Sequence, residues 1–158
     1  MLKRITQTLG LLLALFLPAQ YAQAEDVRAV LEVEGEYKDI REMLNVAIAD
    51  QGLVIAHVSN VGEMLARTGK DLGATREPFV SAEVVEFCSA SFSRKLMEAD
   101  PRNLLFCPFS VAIYTVPEKP GIVHLSWLKI GQLQIEGSNE AREAVQALLE
   151  SIAEGAKF

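Results

Sequence analysis

Apolar and polar residues alternate from Val27 to Gly35, with Val27, Ala29, Leu31 and Val33 on one side and Arg28, Glu32 and Glu34 largely on the other. A period of two predicts a half-buried strand. The period then lengthens: Tyr37, Ile40, Leu44, Ala47 and Ile48 share one face of a helix over Tyr37–Gln51. Gly52 follows where a left-handed residue ends a helix. Leu53–Ser59 reads as a second strand and Val61–Leu72 as a weaker helix, with Gly69, Gly73 and Pro78 as loop signals around it. Val80–Phe87 reads as a third strand.

The central stretch, Phe87 to Tyr114, predicts a helix over Ser89–Ala99. Cys88, Phe92, Leu96 and Ala99 recur at helical spacing on one face, and Ser93, Arg94, Lys95 and Glu98 lie mostly off it. Ser89 suits the N-cap, its hydroxyl accepting from an unpaired backbone N–H. Asp100-Pro101 ends the helix, since proline lacks the donor and restricts the residue before it. Leu104–Val116 has the aliphatic, β-branched and aromatic content of a strand. Pro117-Glu118-Lys119-Pro120-Gly121 is a turn, and Ile122–Lys129 returns antiparallel. A last helix begins at Ser138, with Glu140 in its positive first turn and Ala141, Val145, Leu148, Ile152 and Ala156 as its buried stripe. The order β-α-β-(α)-β-α-β-β-α predicts an α+β fold, a two-layer sandwich with helices on one face of a curved, mostly antiparallel sheet.

The N-terminus changes the picture of where this domain works. Lys3 and Arg4 precede a short apolar run from Leu9 to Pro18, and Ala22-Gln23-Ala24 offers small residues at a cleavage site. These are the parts of a secretory signal peptide, with cleavage expected after Ala24 and export to the periplasm. The run is shorter than the ~20 apolar residues of a spanning helix, so an integral membrane protein is not expected. Residues 25–158 then form a single domain. Cleavage removes two basic residues and no acid, making the formal net charge of −6 more negative still. An acidic exported domain is a poor partner for nucleic acid.

Candidate chemistry is sparse. The only two cysteines are Cys88 and Cys107. A helix leading roughly 16 Å away from Cys88 at about 1.5 Å per residue, and an extended return, bring them level. Three readings follow: a structural disulfide, as an oxidising compartment favours; two buried inert thiols, since Cys88 falls on the apolar stripe; or a reactive redox pair, since a helix N-terminus lowers a thiol pKa. His57, beside Ile55 and Ser59, and His124, beside Ile122 and Ser126, are the only histidines. With the cysteines they are conceivable metal or haem ligands, but the spacing matches no ligand signature, and structural or surface roles are expected instead. No Gly-x-Ser-x-Gly is present, so no catalytic triad is read. Met43, Met64 and Met97 are spread out as core filling rather than clustered as ligands. Glu32, Glu34 and Glu36 form an acidic comb on the exposed side of the first strand, which discourages edge pairing. Trp127, sharing its strand face with Val123 and Leu125, is expected in the core.

Four segments carry a family likeness: Glu86-Phe87-Cys88; Ala99-Asp100-Pro101-Arg102; Phe106-Cys107-Pro108-Phe109-Ser110-Val111-Ala112-Ile113-Tyr114; and Pro120-Gly121-Ile122-Val123-His124. Together they resemble the DUF302 family, small uncharacterised domains. The resemblance implies a two-layer α+β sandwich of the TBP-like kind and brings no established activity, cofactor or catalytic residue. Typical members have a tyrosine where Phe109 stands and Tyr-Arg-Arg near the hairpin end, where this chain reads Ser126-Trp127-Leu128-Lys129. The function expected is a periplasmic accessory or binding domain without catalytic residues or a cofactor, its partner an unnamed small ligand, a protein or a second copy in a homodimer. The alternative is a thiol-dependent redox or sulfur-handling protein working through Cys88 and Cys107.

Overall fold

The computed structural model describes residues 26–133 and 139–157. The signal-peptide reading, with its cleavage after Ala24, and the N-cap at Ser138 lie outside the described residues. Five strands make one open sheet: β1 (Arg28–Glu34), β2 (Val54–Ser59), β3 (Ser81–Cys88), β4 (Phe109–Thr115) and β5 (Ile122–Leu128), in the order β1-β5-β4-β3-β2. Every neighbouring pair is antiparallel. The helices are α1 (Tyr37–Asp50), α2 (Val61–Gly69), α3 (Ala90–Ala99) and α4 (Asn139–Gly155). The α+β class read from the sequence is the one observed.

The core lies between one sheet face and the helices. Val33, Val85, Phe87, Val111, Ile113, Val123 and Leu125 project from alternate strand positions onto Ile40, Leu44 and Ile48 of α1 and Val145, Leu149 and Ile152 of α4. The geometry of α1 explains the strand order. It leaves β1 at one edge of the sheet and delivers the chain to β2 at the other. Its 14 residues reach about 21 Å at about 1.5 Å per residue. Four inter-strand spacings come to roughly 19 Å. Gly52 has φ +70° just past the helix and Gly121 has φ +76° in the hairpin turn, both as their positions require.

Four expectations need correction. The stretch Leu104–Cys107 is not strand: Pro101–Phe106 is a 3-10 helix, and β4 begins only at Phe109. Asp100 causes this, because its carboxylate accepts from the Arg102 backbone N–H at 2.8 Å and starts a new tight turn at the residue that ends α3. Buried Asn103 then donates its side-chain amide to the Leu96 carbonyl at 2.8 Å, folding the turn back on the helix. Second, Cys88 closes β3 and is exposed, off the apolar stripe of α3. Third, a bulge between Ile55 and His57 parts two residues expected on one face: Ile55 pairs with Phe87 on the core side and His57 with Glu86 on the other. Fourth, Met64 is exposed, unlike Met43, which packs against the core.

Helix α2 packs against β3. The β2–β3 ladder stops at the Ser59–Val84 rung, leaving the start of β3 without a strand partner on that side. There α2 fits against the strand so closely that a Cβ on Gly62 would lie 2.8 Å from the Ala82 nitrogen.

Candidate functional site

The sheet face turned away from α1 and α4 carries two features. The first is a groove of about 310 Å3 lined by Arg28, Val30, Val61, Phe79, Val84, Ala112, Tyr114 and Ser126. Its floor is one transverse row of side chains, since Val30 pairs with Ser126, Ser126 with Ala112, and Ala112 with Val84. All four are small or β-branched, so the row is low. The next row, Glu32–His124–Tyr114–Ala82, is taller. Tyr114 forms its wall and is fixed from both sides: His124 stacks on it with centroids 4.8 Å apart at 7°, and Phe79 meets it edge-on at 5.4 Å. Val61 of α2 closes the far side.

His124 is 94% buried, although it stands on the open face. Its Nε2 lies 3.4 Å from Glu32 Oε1, and that carboxylate also takes Lys119 Nζ at 2.5 Å. The lysine contact, with His124 adding to it, holds the Glu32 carboxyl below its ordinary range. The acidic comb is therefore not wholly a solvated face; its first tooth supports the histidine. At the rim, Arg28 is paired with Asp26 through Nε at 2.9 Å, which holds that carboxyl down to about 2.

The second feature lies further along β3. Cys88 and Cys107 are free thiols with their sulfurs 3.6 Å apart. The Ser93 hydroxyl is 3.6 Å from Cys107 Sγ. Desolvation, the neighbouring Cys107 thiol and the Glu86 charge push the Cys88 thiol above its ordinary value. The expected lowering by a helix N-terminus is not found. Cys88 belongs to the strand, and the Ser89 hydroxyl caps α3 by accepting from Phe92 N. From Val84 in the groove floor to Cys88 is four residues, roughly 13 Å of strand, so groove and thiols are separate places.

The sequence-read residues thus divide. Cys88 and Cys107 are brought together; His57 and His124 are not, being on β2 and β5 with two strands between them. Among the described residues no group of three or more His, Cys, Asp or Glu side chains could hold a metal ion. The groove itself escaped sequence reasoning, because its floor exists only once four strands are in register. A larger hollow of about 520 Å3 between α3 and the start of α4 is lined by Lys95, Glu98, Asn139 and Glu140 among others. Among the described residues its lining has no aromatic side chain.

A family model for a domain of unknown function, DUF302, matches residues 29–155. The chain belongs to the DUF302 family. A crystal structure of an uncharacterised conserved DUF302 protein from Bacillus stearothermophilus is similar, with a TM-score of 0.69 at 13% identity over 84% of this chain and 99% of that one. At that identity the likeness bears on the fold alone. No curated protein matches the chain. Phe109 is buried against Phe87, centroids 6.5 Å apart. In this DUF302 chain the hairpin end serves both layers: Ser126 floors the groove and donates to the Ala29 carbonyl at 2.9 Å, while Trp127 packs against the core. Among the described residues, no helix is long and apolar enough to cross a membrane.

Proposed function

We propose that this is an exported, periplasmic accessory or binding domain with no catalytic role of its own, which seats a small, mainly apolar ligand on the open face of its sheet. The groove carries the reading. Its volume of about 310 Å3 falls at the small end of ligand pockets, and its make-up is that of a binding site, apolar and aromatic walls with the Ser126 and Tyr114 hydroxyls, Arg28 and Glu83 as its polar residues. Tyr114 is held by two ring contacts before any ligand arrives, so little side-chain freedom is lost on binding. Export is supported by the charged, apolar and small-residue segments of residues 1–24.

The test fills the groove from its floor. Ala112→Phe places a ring between Val84 and Ser126 on the open face, away from the core. The wild-type protein should bind the apolar dye 1-anilinonaphthalene-8-sulfonate with a fluorescence rise, and the variant at least tenfold more weakly, with both folded by circular dichroism. Equal dye binding by the two would remove the groove from consideration. A wild-type dimer in sedimentation that Ala112→Phe dissociates would instead give the face to a second copy. N-terminal sequencing of periplasmic material should find Glu25 first; retained Met1 there would overturn the export reading.

A further inference from the structure

We propose that Cys88 and Cys107 are a reversible dithiol–disulfide pair that exchanges with low-molecular-weight disulfides, a role independent of the groove. Three observations converge on it. The sulfurs are already 3.6 Å apart, against about 2.05 Å in a disulfide. The backbone on either side is fixed without the bond. Phe87 and Phe109 form the last rung of the β3–β4 ladder, and Asn103 and Asp100 hold the intervening helix and turn by their own hydrogen bonds. Closing or opening the bond therefore asks for no refolding.

The third observation is the asymmetry of the two sulfurs. Cys88 is exposed, whereas Cys107 is half-buried beside the Ser93 hydroxyl. An attacking thiol must meet an incoming disulfide, and a resolving thiol needs only to meet its neighbour. Cys88 fits the first role and Cys107 the second.

The chemistry balances without any other oxidant. The Cys88 thiol loses its proton to water and attacks one sulfur of RS–SR. A Cys88–SR bond forms, and the other half leaves as a thiolate that takes up a proton. Cys107, deprotonated in turn, attacks the Cys88 sulfur; the intramolecular disulfide forms and the second RS⁻ leaves and is protonated. Two protein thiols are oxidised, one disulfide is reduced to two thiols, and no proton is released overall. Because the Cys88 thiolate is not favoured, exchange at neutral pH is slow.

The experiment treats the full chain with excess oxidised glutathione and follows it by intact mass and non-reducing peptide mapping. Wild type should gain the Cys88–Cys107 bond with no retained glutathione. Cys107→Ser should accumulate one glutathione on Cys88, and Cys88→Ser should react at least tenfold more slowly. The wild-type rate should rise about tenfold per pH unit below the thiol pKa. Dithiothreitol should return both thiols with the circular dichroism unchanged throughout. A bond that yields to dithiothreitol only after denaturation would make the pair a permanent staple and overturn the proposal. Two separate glutathione adducts on wild type, or equal rates for the two serine variants, would do the same. Should a serine variant not fold, alkylation mapping of reduced wild type replaces it: Cys88 should react at least fivefold faster than Cys107, and equal rates would refute the assignment.

Discussion

Adding one methyl group at Gly62 should destabilise the protein, although the same change normally strengthens a helix. Glycine to alanine within a helix is ordinarily worth about 0.5–1 kcal/mol in favour of alanine. At Gly62 the new Cβ would stand 2.8 Å from the Ala82 nitrogen and 3.3 Å from its carbonyl oxygen. Both atoms are backbone of β3 and cannot rotate aside, so α2 itself must move. Overpacking of this sort costs about 1–3 kcal/mol, leaving a net loss of up to about 2.5 kcal/mol. Gly69 in the same helix is the internal control, since a Cβ there meets Ala74 Cβ at 3.4 Å, an ordinary contact. Gly69→Ala should be neutral or stabilising by up to about 1 kcal/mol. Urea unfolding reads the difference: with m of about 1–3 kcal/mol/M, the Gly62→Ala midpoint should fall measurably while m stays constant and the Gly69→Ala midpoint holds or rises. Displacing α2 also moves Val61 at the groove wall, so dye binding should weaken in Gly62→Ala alone. A Gly62→Ala protein as stable as Gly69→Ala would refute the close seating of α2 on β3.

Two further outcomes follow from single side chains. Burial, aided by the Glu83 charge, pushes the Tyr37 phenol up to about 12. The folded state thus holds this proton more tightly than the unfolded one, so its contribution is complete below about pH 10 and is lost as pH rises through 12; Tyr37→Phe should remove that alkaline decline and the matching phenolate absorbance, and an unchanged profile would refute the assignment. Trp127 packs against the core with its indole nitrogen buried, so its emission should be blue-shifted and poorly quenched by iodide, and Trp127→Ala should cost about 3 kcal/mol.

Periodicity made the layers legible. Alternation in Val27–Gly35 and the Ile40, Leu44, Ala47, Ile48 stripe are local consequences of which side chains meet the core, and a window of ten residues contains them. The same logic gave the two sides of β5, with His124 and Ser126 opposite Leu125 and Trp127. It misread Leu104–Cys107, where apolar content looked extended but Asp100 supplied a capping bond that composition does not display. It placed Cys88 on a helix because its spacing fits helical and strand periods alike at a boundary. The thiols nonetheless met, although the return path is a 3-10 turn and not a strand, because any compact return to β4 passes the end of β3. The groove was out of reach, as Val30, Val84, Ala112 and Ser126 become a row only through long-range register, which no local pattern encodes. The α2 seat was likewise hidden: Gly62 reads as a weak helical residue until Ala82 is beside it.

The strand order has a consequence in time. A chain that emerges N-terminus first presents β1 at once, yet the partner of β1 is β5, with Arg28 bonded across to Leu128. Until the hairpin of β4 and β5 has appeared, β1 has nothing to pair with, and α1 has only part of the layer it will cover. Strands β2, β3, β4 and β5 each pair with the next in sequence and can assemble as they appear, whereas β1 alone must wait for the last of them. For roughly a hundred residues of synthesis, Leu31 and Val33 remain apolar and unclaimed. A holding factor that bound this nascent segment would find its target there, and would lose it when the last strand arrived.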